Sequence, residues 1–424
     1  MKWKGIILGS LLICSIGLQA QKYVGGDISL LPKYEQNGAK YFDREGSAIT
    51  DMLSFFRSKG MNAMRVRLFV DPSKAPADHQ GEGVCQDLEF VKTLGKRIKD
   101  AGLQLMIDFH YSDTWTDPGK HSTPSSWTSE NPETLADMLY DYTKSCLQDL
   151  IAAGAAPDFV QPGNEITYGM LWPTGHCYPD GGDYNGGTFA NFAKYLQAGI
   201  KAIREVCPQA KIVIQTELSK SQNVVNFYKT LKGYTDDYDV IGLSYYPYYH
   251  GTLSTLNSVL NTLESSYPDK KIQIVETAYY HAWYPDNATY KISSFPNWPA
   301  SDDGQLQFTK DLIETLNSHQ SVDGLYWWWP EANEFGLDWN TKRVTDGWYN
   351  AGLFDNQTGK AMQAWDVLKD FLGDDTGVTT IENISKVSDH RIFTLDGRQV
   401  RSHVQQESLP KGVYVMGKKK ILMK

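Results

Sequence analysis

Between residues 24 and 372 the chain alternates two kinds of apolar pattern. Short, nearly continuous runs of Val, Ile, Leu, Met and aromatic residues occur at Val24–Ile28, Ala63–Val70, Gln104–His110, Asp158–Pro162, Lys211–Gln215, Asp239–Tyr245, Lys271–Val275 and Asp323–Trp328. A strand of a parallel sheet is covered on both faces and must be apolar along its length, which is what these eight runs show. Between them the apolar residues recur at helical spacing. Leu88, Val91, Ile98 and Ala101 line one face before Gly102; Leu135, Met138, Leu139, Tyr142, Cys146 and Leu150 line another; Phe189, Phe192, Leu196, Ile200 and Ile203 follow, ended by Pro208. The same holds for Leu253, Leu256, Leu260 and Leu263, for Leu312, Ile313 and Leu316, and for Met362, Trp365, Leu368 and Phe371. Eight strands, each followed by a helix, predict an α/β fold of the (β/α)8 TIM barrel type over residues 21–373. An open doubly wound sheet is the competing arrangement, but no Gly-x-Gly-x-x-Gly follows the first run.

Both ends of the chain depart from this alternation. Lys2 and Lys4 precede an apolar stretch from Ile6 to Leu18, too short to cross ~30 Å of hydrocarbon as a helix. The pattern predicts a secretory signal peptide over residues 1–20, cut near Ala20, and hence an exported protein, periplasmic, surface-bound or released. A lipoprotein signal acylated at Cys14 is the alternative, disfavoured by the bulky Ile13 before it. At the other end, Asp374-Asp375-Thr376-Gly377 reads as a linker. Beyond it, Arg391–Leu395, an Asp396-Gly397 turn, Gln399–Val404, Gly412–Met416 and Lys420–Met423 predict a short β-rich C-terminal tail over 374–424.

Composition narrows the function. Lys and Arg number 41 against 50 Asp and Glu, a formal net charge of −9, and loss of Lys2 and Lys4 with the leader brings it near −11. Such a balance excludes nucleic acid as the expected partner, because a binder needs a basic face to displace counterions. No other stretch is long and apolar enough for a transmembrane helix, and a monomer is the expected state. Four cysteines remain after the leader: Cys85, Cys146, Cys177 and Cys207. Export permits disulfides, with three pairings open, whereas Cys146 and Cys207 on apolar helical faces read as free buried thiols. No cysteine or histidine spacing suggests a metal. The chain is rich in aromatics, with 12 Trp and 25 Tyr.

Barrel enzymes carry their chemistry at the C-terminal ends of the strands. There the runs end in Arg65 and Arg67; in Asp108, His110, Tyr111, Asp113 and Trp115; in Asn164 and Glu165; in Tyr245, Tyr246 and His250; in Glu276; and in Trp327, Trp328 and Trp329. Glu165 and Glu276 each directly follow a strand, 111 residues apart. On the fourth and seventh strands of a closed ring both carboxyl groups can reach one cleft. Glycoside hydrolysis needs two carboxyl groups about the scissile bond, one to protonate the leaving oxygen and one to attack or to activate water. Retention of configuration requires them ~5–5.5 Å apart, whereas ~9 Å fits inversion. The Asn164 amide can hold a sugar hydroxyl, and Arg65 is expected to pair with Glu276 and keep it ionised. Trp115, Trp127, Trp172, Trp328 and Trp348 fall in loops at one end of the barrel, where indoles can stack on sugar rings. His110 reads equally as a buried hydrogen-bonded ring or a sugar ligand. Asp27, Tyr111, Asp113, Tyr245 and His250 complete the substrate-binding candidates, and Asp87, Asp117 and Asp180 read as ordinary loop charges.

At these motifs the sequence resembles glycoside hydrolase family 53, the endo-β-1,4-galactanases of a large clan of retaining barrel enzymes. The stretches that carry the resemblance are GGDIS (25–29), NAMRVRLFVDP (62–72), IDFHYSDTWTDPGK (107–120), QPGNEITYGMLWP (161–173), IGLSYYPYYHGTL (241–253) and IVETAYY (274–280). The resemblance implies Glu165 as acid/base, Glu276 as nucleophile, and pectic galactan or type I arabinogalactan as substrate, with no cofactor required. The alternatives are another β-1,4-glycanase acting on mannan, xylan or cellulose, or a carbohydrate-binding barrel without activity. Two departures stand out. Trp329 occupies the place of a glutamate in the family's Tyr-Trp-Glu-Pro, which implies different distal subsites. The structural calcium of some members has only Asp286, Asn287, Asp302 and Asp303 as candidate donors in the loop 281–303. The tail from 386 resembles C-terminal sorting modules of secreted Bacteroidetes proteins.

Overall fold

The computed structural model describes residues 21–373, apart from 219–220, 286 and 346, and the backbone of five short strands between 378 and 423. The leader, Cys14 and the expected Asp396-Gly397 turn lie outside the described residues.

Eight parallel strands close into a ring in which the first pairs with both the second and the last. They are β1 (Tyr23–Asp27), β2 (Ala63–Leu68), β3 (Gln104–Phe109), β4 (Phe159–Pro162), β5 (Lys211–Glu217), β6 (Val240–Ser244), β7 (Lys271–Thr277) and β8 (Val322–Trp328). The outer layer comprises α1 (Met52–Ser58), α2 (Leu88–Asp100), α3 (Pro132–Ala152), α4 (Phe189–Val206), α5 (Ser221–Leu231), α6 (Leu253–Ser266) and α7 (Asp302–Asn317). Side-chain caps fix several helix starts by accepting otherwise unpaired N–H groups: Asp51, Asp87, Asn131, Thr188 and Ser301 each do so. Asn131 precedes Pro132, whose fixed φ suits the first helical position.

After β8 the apolar residues Met362, Trp365, Leu368 and Phe371 do not form the expected α-helix. Trp365 lies on one 3-10 turn, Gln363–Asp366, which Met362 immediately precedes, Leu368 and Phe371 lie on a second, Leu368–Leu372, and all four side chains are buried. Their spacing explains it: all three intervals are three residues, the period of the tighter helix. Trp365 stacks on Phe56 of α1 at 5.4 Å.

Two-residue alternation along the strands builds the barrel interior. Its floor is apolar: Ala63, Met106, Phe159, Val213, Val240, Val275 and Tyr326 form one buried cluster. Two residues further along β2, β3, β4 and β5 the inward positions are Arg65, Asp108, Gln161 and Gln215, all fully buried. The interior therefore turns polar toward the C-terminal mouth. β7 breaks the alternation. Leu243 pairs with Ile274 but Ser244 pairs with Glu276, a register shift that inserts one extra residue. An insertion of this kind reverses which face the following residues take, so Glu276 enters the barrel just after the inward Val275.

The tail strands Val378–Thr379, Ile392–Thr394, Gln399–Arg401, Gly412–Met416 and Lys419–Met423 form a five-stranded sheet, with the last two antiparallel. Cys85, Cys146, Cys177 and Cys207 are all free thiols, so none of the three pairings occurs. Among the described residues no helix is long and apolar enough to cross a membrane.

Candidate active site

The C-terminal mouth opens into a cavity of about 640 Å³ whose lining includes both Glu165 and Glu276. Each carboxyl group is held differently. Glu276 Oε1 accepts from Arg65 Nη2 at 2.8 Å and from Gln215 Nε2 at 2.8 Å, and its Oε2 accepts from the Tyr246 hydroxyl at 3.0 Å. Burial pushes the Glu276 carboxyl up, while Arg65 and Gln215 pull against that rise. For Glu165 burial acts first, the negative charge of Glu276 adds to it, and its carboxyl is held well above the ordinary range. Of the two, Glu276 is the carboxyl held by a cation and two donors, whereas both burial and its neighbour's charge disfavour the ionised form of Glu165.

The backbone around Glu165 is unusual. Gly163 has φ of +106° and Glu165 itself φ of +47°, a left-handed conformation uncommon for a residue with a side chain. Glu165 donates its N–H to Gln215 Oε1 at 3.1 Å. Asn164 is fixed on both sides: its amide donates to the Thr116 carbonyl at 2.7 Å, and its oxygen accepts from Arg65 at 2.9 Å.

Below the mouth, Arg65 also pairs with Asp27 at 3.0 Å and Asp108 at 2.8 Å, and Arg67 pairs with Asp27 at 2.8 Å. Burial alone would raise Asp108, but Arg65 and His110 hold its carboxyl below the usual value. His110 accepts the Thr116 N–H on Nδ1 at 3.1 Å, which leaves the proton on Nε2, 3.1 Å from Asp108. Above Arg67 stand three indoles, Trp115, Trp328 and Trp329, with ring centres at 4.4, 5.4 and 5.2 Å from the guanidinium. Trp328 and Trp329 stack at 4.9 Å, and all three rings line the cavity. Trp348 lines it too, 4.9 Å from Tyr246.

Of the residues expected to bind substrate, Trp115, Asn164, His250 and Trp328 line the cavity with the two glutamates. Asp27, Arg65 and His110 stand behind it as the buried layer just described. Five expectations are corrected. Tyr111 turns away from the mouth, donating to or accepting from Thr143 at 2.8 Å between the barrel and α3. Asp113 spends its oxygens on the Asp71 and Ser125 N–H groups and ties two loops together. Tyr245 sends its hydroxyl to the Gly251 carbonyl; the neighbouring Tyr246 is the one that faces inward, because strand residues alternate and the next in line changes face. Trp172 stacks on His176 at 3.5 Å and does not line the cavity. Trp127 likewise packs on Tyr142, within the core.

Asp117, read as an ordinary loop charge, lines the cavity, as do Tyr246, Tyr249 and Glu217, which had no assigned role. Glu217 lies two residues past the apolar run Lys211–Gln215 that marks β5 in the sequence. Its signal was the period-two continuation Val213, Gln215, Glu217.

Of the candidate calcium donors in the loop after β7, the three that are described have other partners. Asp302 and Asp303 accept from the Gln363 main chain and side chain, whereas Asn287 accepts from Tyr249 at 3.4 Å. Asp286 lies outside the described residues. Among the described residues no group of three or more His, Cys, Asp or Glu could hold a metal ion.

Comparison with known proteins places this geometry. The family profile Glycosyl hydrolase family 53 matches residues 23–368. A probable arabinogalactan endo-β-1,4-galactanase A of Aspergillus terreus is 32% identical over 336 residues, 77% of this chain and 90% of its own length. The endo-β-1,4-galactanase of Bacillus subtilis is 28% identical over 370 residues, covering 80% and 82% of the two chains. The solved catalytic domain of a family 53 enzyme from Ignisphaera aggregans superposes with a TM-score of 0.72 at 32% identity, covering 84% of this chain and 97% of its own. A closed parallel ring with two glutamates at its mouth and a match along nearly the whole barrel leave one assignment: the chain belongs to glycosyl hydrolase family 53.

Proposed function

We propose that this protein is an endo-β-1,4-galactanase that cuts pectic galactan, or type I arabinogalactan, with retention of configuration. The observation that carries the reading is the unequal treatment of two buried carboxyl groups in one cavity: Arg65, Gln215 and Tyr246 converge on Glu276, whereas burial and the charge of Glu276 hold the proton on Glu165. Pairs of carboxyl groups driven apart in this way divide into acid and nucleophile. Glu165 gives its proton to the glycosidic oxygen as the bond to the anomeric carbon breaks, and Glu276 forms an ester to that carbon. Water then attacks the same carbon, Glu165 takes its proton, and Glu276 leaves as carboxylate. The chemistry uses no cofactor. The four indoles of the wall supply flat apolar faces for the C–H surfaces of successive galactosyl units, and the curated galactanase relatives support galactose as the sugar. Export through the N-terminal leader would bring the enzyme to cell-wall polysaccharide.

The test is a product assay on galactan, mannan, xylan and cellulose, with proton NMR of the newly released reducing ends. The reading expects galacto-oligosaccharides from galactan alone, released first as the β-anomer. Initial α-anomer, or faster cleavage of another polymer, would contradict it.

A further inference from the structure

Three indoles of the cavity wall converge on one buried cation. Trp115 comes from the loop after β3, Trp328 ends β8 and Trp329 follows it. Their ring centres lie 6.1 Å apart for Trp115 and Trp328, 5.9 Å for Trp115 and Trp329, and 4.9 Å for Trp328 and Trp329. Behind them is the guanidinium of Arg67, fully buried and nearest to Trp115, at 4.4 Å from its ring centre. The strand period sets it there. Arg67 stands two residues beyond Arg65 on β2, on the same interior face and one layer nearer the mouth.

Hydrogen bonds account for only part of this arrangement. Arg67 Nη1 donates to Asp27 Oδ1 at 2.8 Å, whereas Nε and Nη2 meet no acceptor among the described residues. Asp27 gives its other oxygen to Arg65 at 3.0 Å, so two buried guanidinium groups share one carboxylate. Burial lowers the pKa of Arg67, and Asp27 offsets this in part. The ring faces complete the surroundings, since the negative face of an indole attracts a desolvated cation. The rings need the cation in return. Among the described residues, Nε1 of Trp328 and Nε1 of Trp329 have no acceptor. Trp329 holds a left-handed backbone, φ +51°, which a bulky residue keeps where its surroundings impose it. Its ring meets Trp115, Trp328 and Arg67. Trp115 is the half-buried member of the three and lines the cavity, so through it the position of the cation reaches the sugar.

We propose that Arg67 is a positioning residue for substrate binding: pinned by Asp27, its flat guanidinium sets the plane of Trp115 against the Trp328–Trp329 stack, so that the wall is shaped for a sugar ring before substrate enters. A wall ordered in advance loses less binding energy to the ordering of side chains. Lysine could carry the charge to Asp27 but presents no plane to the indoles. The role rests on the reading of this cavity as a galactan site.

Steady-state kinetics on galactan test this in a double-mutant cycle. In Arg67→Lys, KM is expected to rise about tenfold, the effect of losing a desolvated cation–ring contact. That factor exceeds any fall in kcat, because the ion pair with Asp27 persists. In a Trp115→Leu background the same substitution should change KM by less than about twofold, since the contact it would break is already gone. Arg67→Met serves as a second variant should the lysine form melt early, with the same dependence on Trp115 expected for KM. A wild-type KM in the folded Arg67 variants overturns the proposal. So does an equal rise with and without Trp115, which is what a packing role gives, and so does a fall in kcat of Arg67→Lys larger than the rise in KM. Trp115→Leu by itself is the control for the underlying reading: a wild-type KM in that variant contradicts this wall as the galactan site, whereas a raised KM there with no effect of Arg67→Lys contradicts only the role of Arg67.

Discussion

The guanidinium of Arg65 touches three carboxylates and the Asn164 amide oxygen without exposing any surface of its own. Burial alone would lower its pKa, but Asp108, Glu276 and Asp27 more than offset that and raise it. An ion cluster of this depth owes little net stability to its charges, since each was taken out of water to make it; removing one member is another matter, because the rest remain buried and unbalanced. Arg65→Met is therefore expected to lose about 3–5 kcal/mol in urea unfolding, together with most of kcat. A loss below ~1 kcal/mol would show that the acids of the cluster are protonated or hydrated without it. The pairing of Arg65 with Glu276 was legible in the sequence, since an arginine inside an apolar strand needs an anion beside it. Which neighbours of Glu165 and Glu276 face the cavity was not. Tyr245 and Tyr246 differ only in which side of a short strand they follow, and Tyr111 and Asp113 sit past the strand where no period constrains direction.

At the scale of elements, two local irregularities aim the two glutamates. The inserted residue in β7 turns Glu276 inward, and the left-handed residues after β4 turn Glu165 toward it. Neither has a period to betray it, so the sequence places both residues at strand ends without showing how they point. Gly163 is the exception, since glycine before a functional residue hints at a conformation other residues avoid. A Cβ at Gly163 would stand 2.6 Å from Ile166 Cγ2 and would have to adopt φ of +106°. Gly163→Ala should accordingly destabilise the protein by about 1–3 kcal/mol and reduce kcat more than KM, as displacement of Glu165 requires. Wild-type kcat in this variant would mean that the turn does not aim the acid. The period-three run from Met362 to Phe371 carries the same lesson in reverse: its spacing already specified the 3-10 turns that the helical reading overlooked.

For the whole molecule, the closed ring was legible because eight buried strands and their helices each repeat a pattern that only one common architecture satisfies. The pH range in which this ring is stable depends on residues that pattern does not mark. Burial lowers the pKa of His121 to about 3 and of His281 to about 4, as it does for His250. The contribution of such neutral rings is full above the ordinary value near 6.5 and is lost as pH falls, because the unfolded chain takes up protons that the folded one refuses. Glu334 acts oppositely. Burial raises its carboxyl to about 7, against the pull of Arg343. Its contribution is intact below 4.5 and is lost as pH rises through 7. Glu334→Gln should then raise the melting temperature at pH 8, by an amount equivalent to about 3 kcal/mol, and change it little at pH 4. An equal effect at both pH values would show that the carboxyl ionises freely in the fold. The central claim is the division of labour between Glu276 and Glu165, and chemical rescue reads it directly. With azide and an aryl β-galacto-oligosaccharide, Glu276→Ala should yield the α-galactosyl azide, formed by attack where the missing carboxylate stood. Glu165→Ala should yield the β-azide, formed on a glycosyl-enzyme that still has its nucleophile. The β-azide from Glu276→Ala, or the α-azide from Glu165→Ala, would contradict the account.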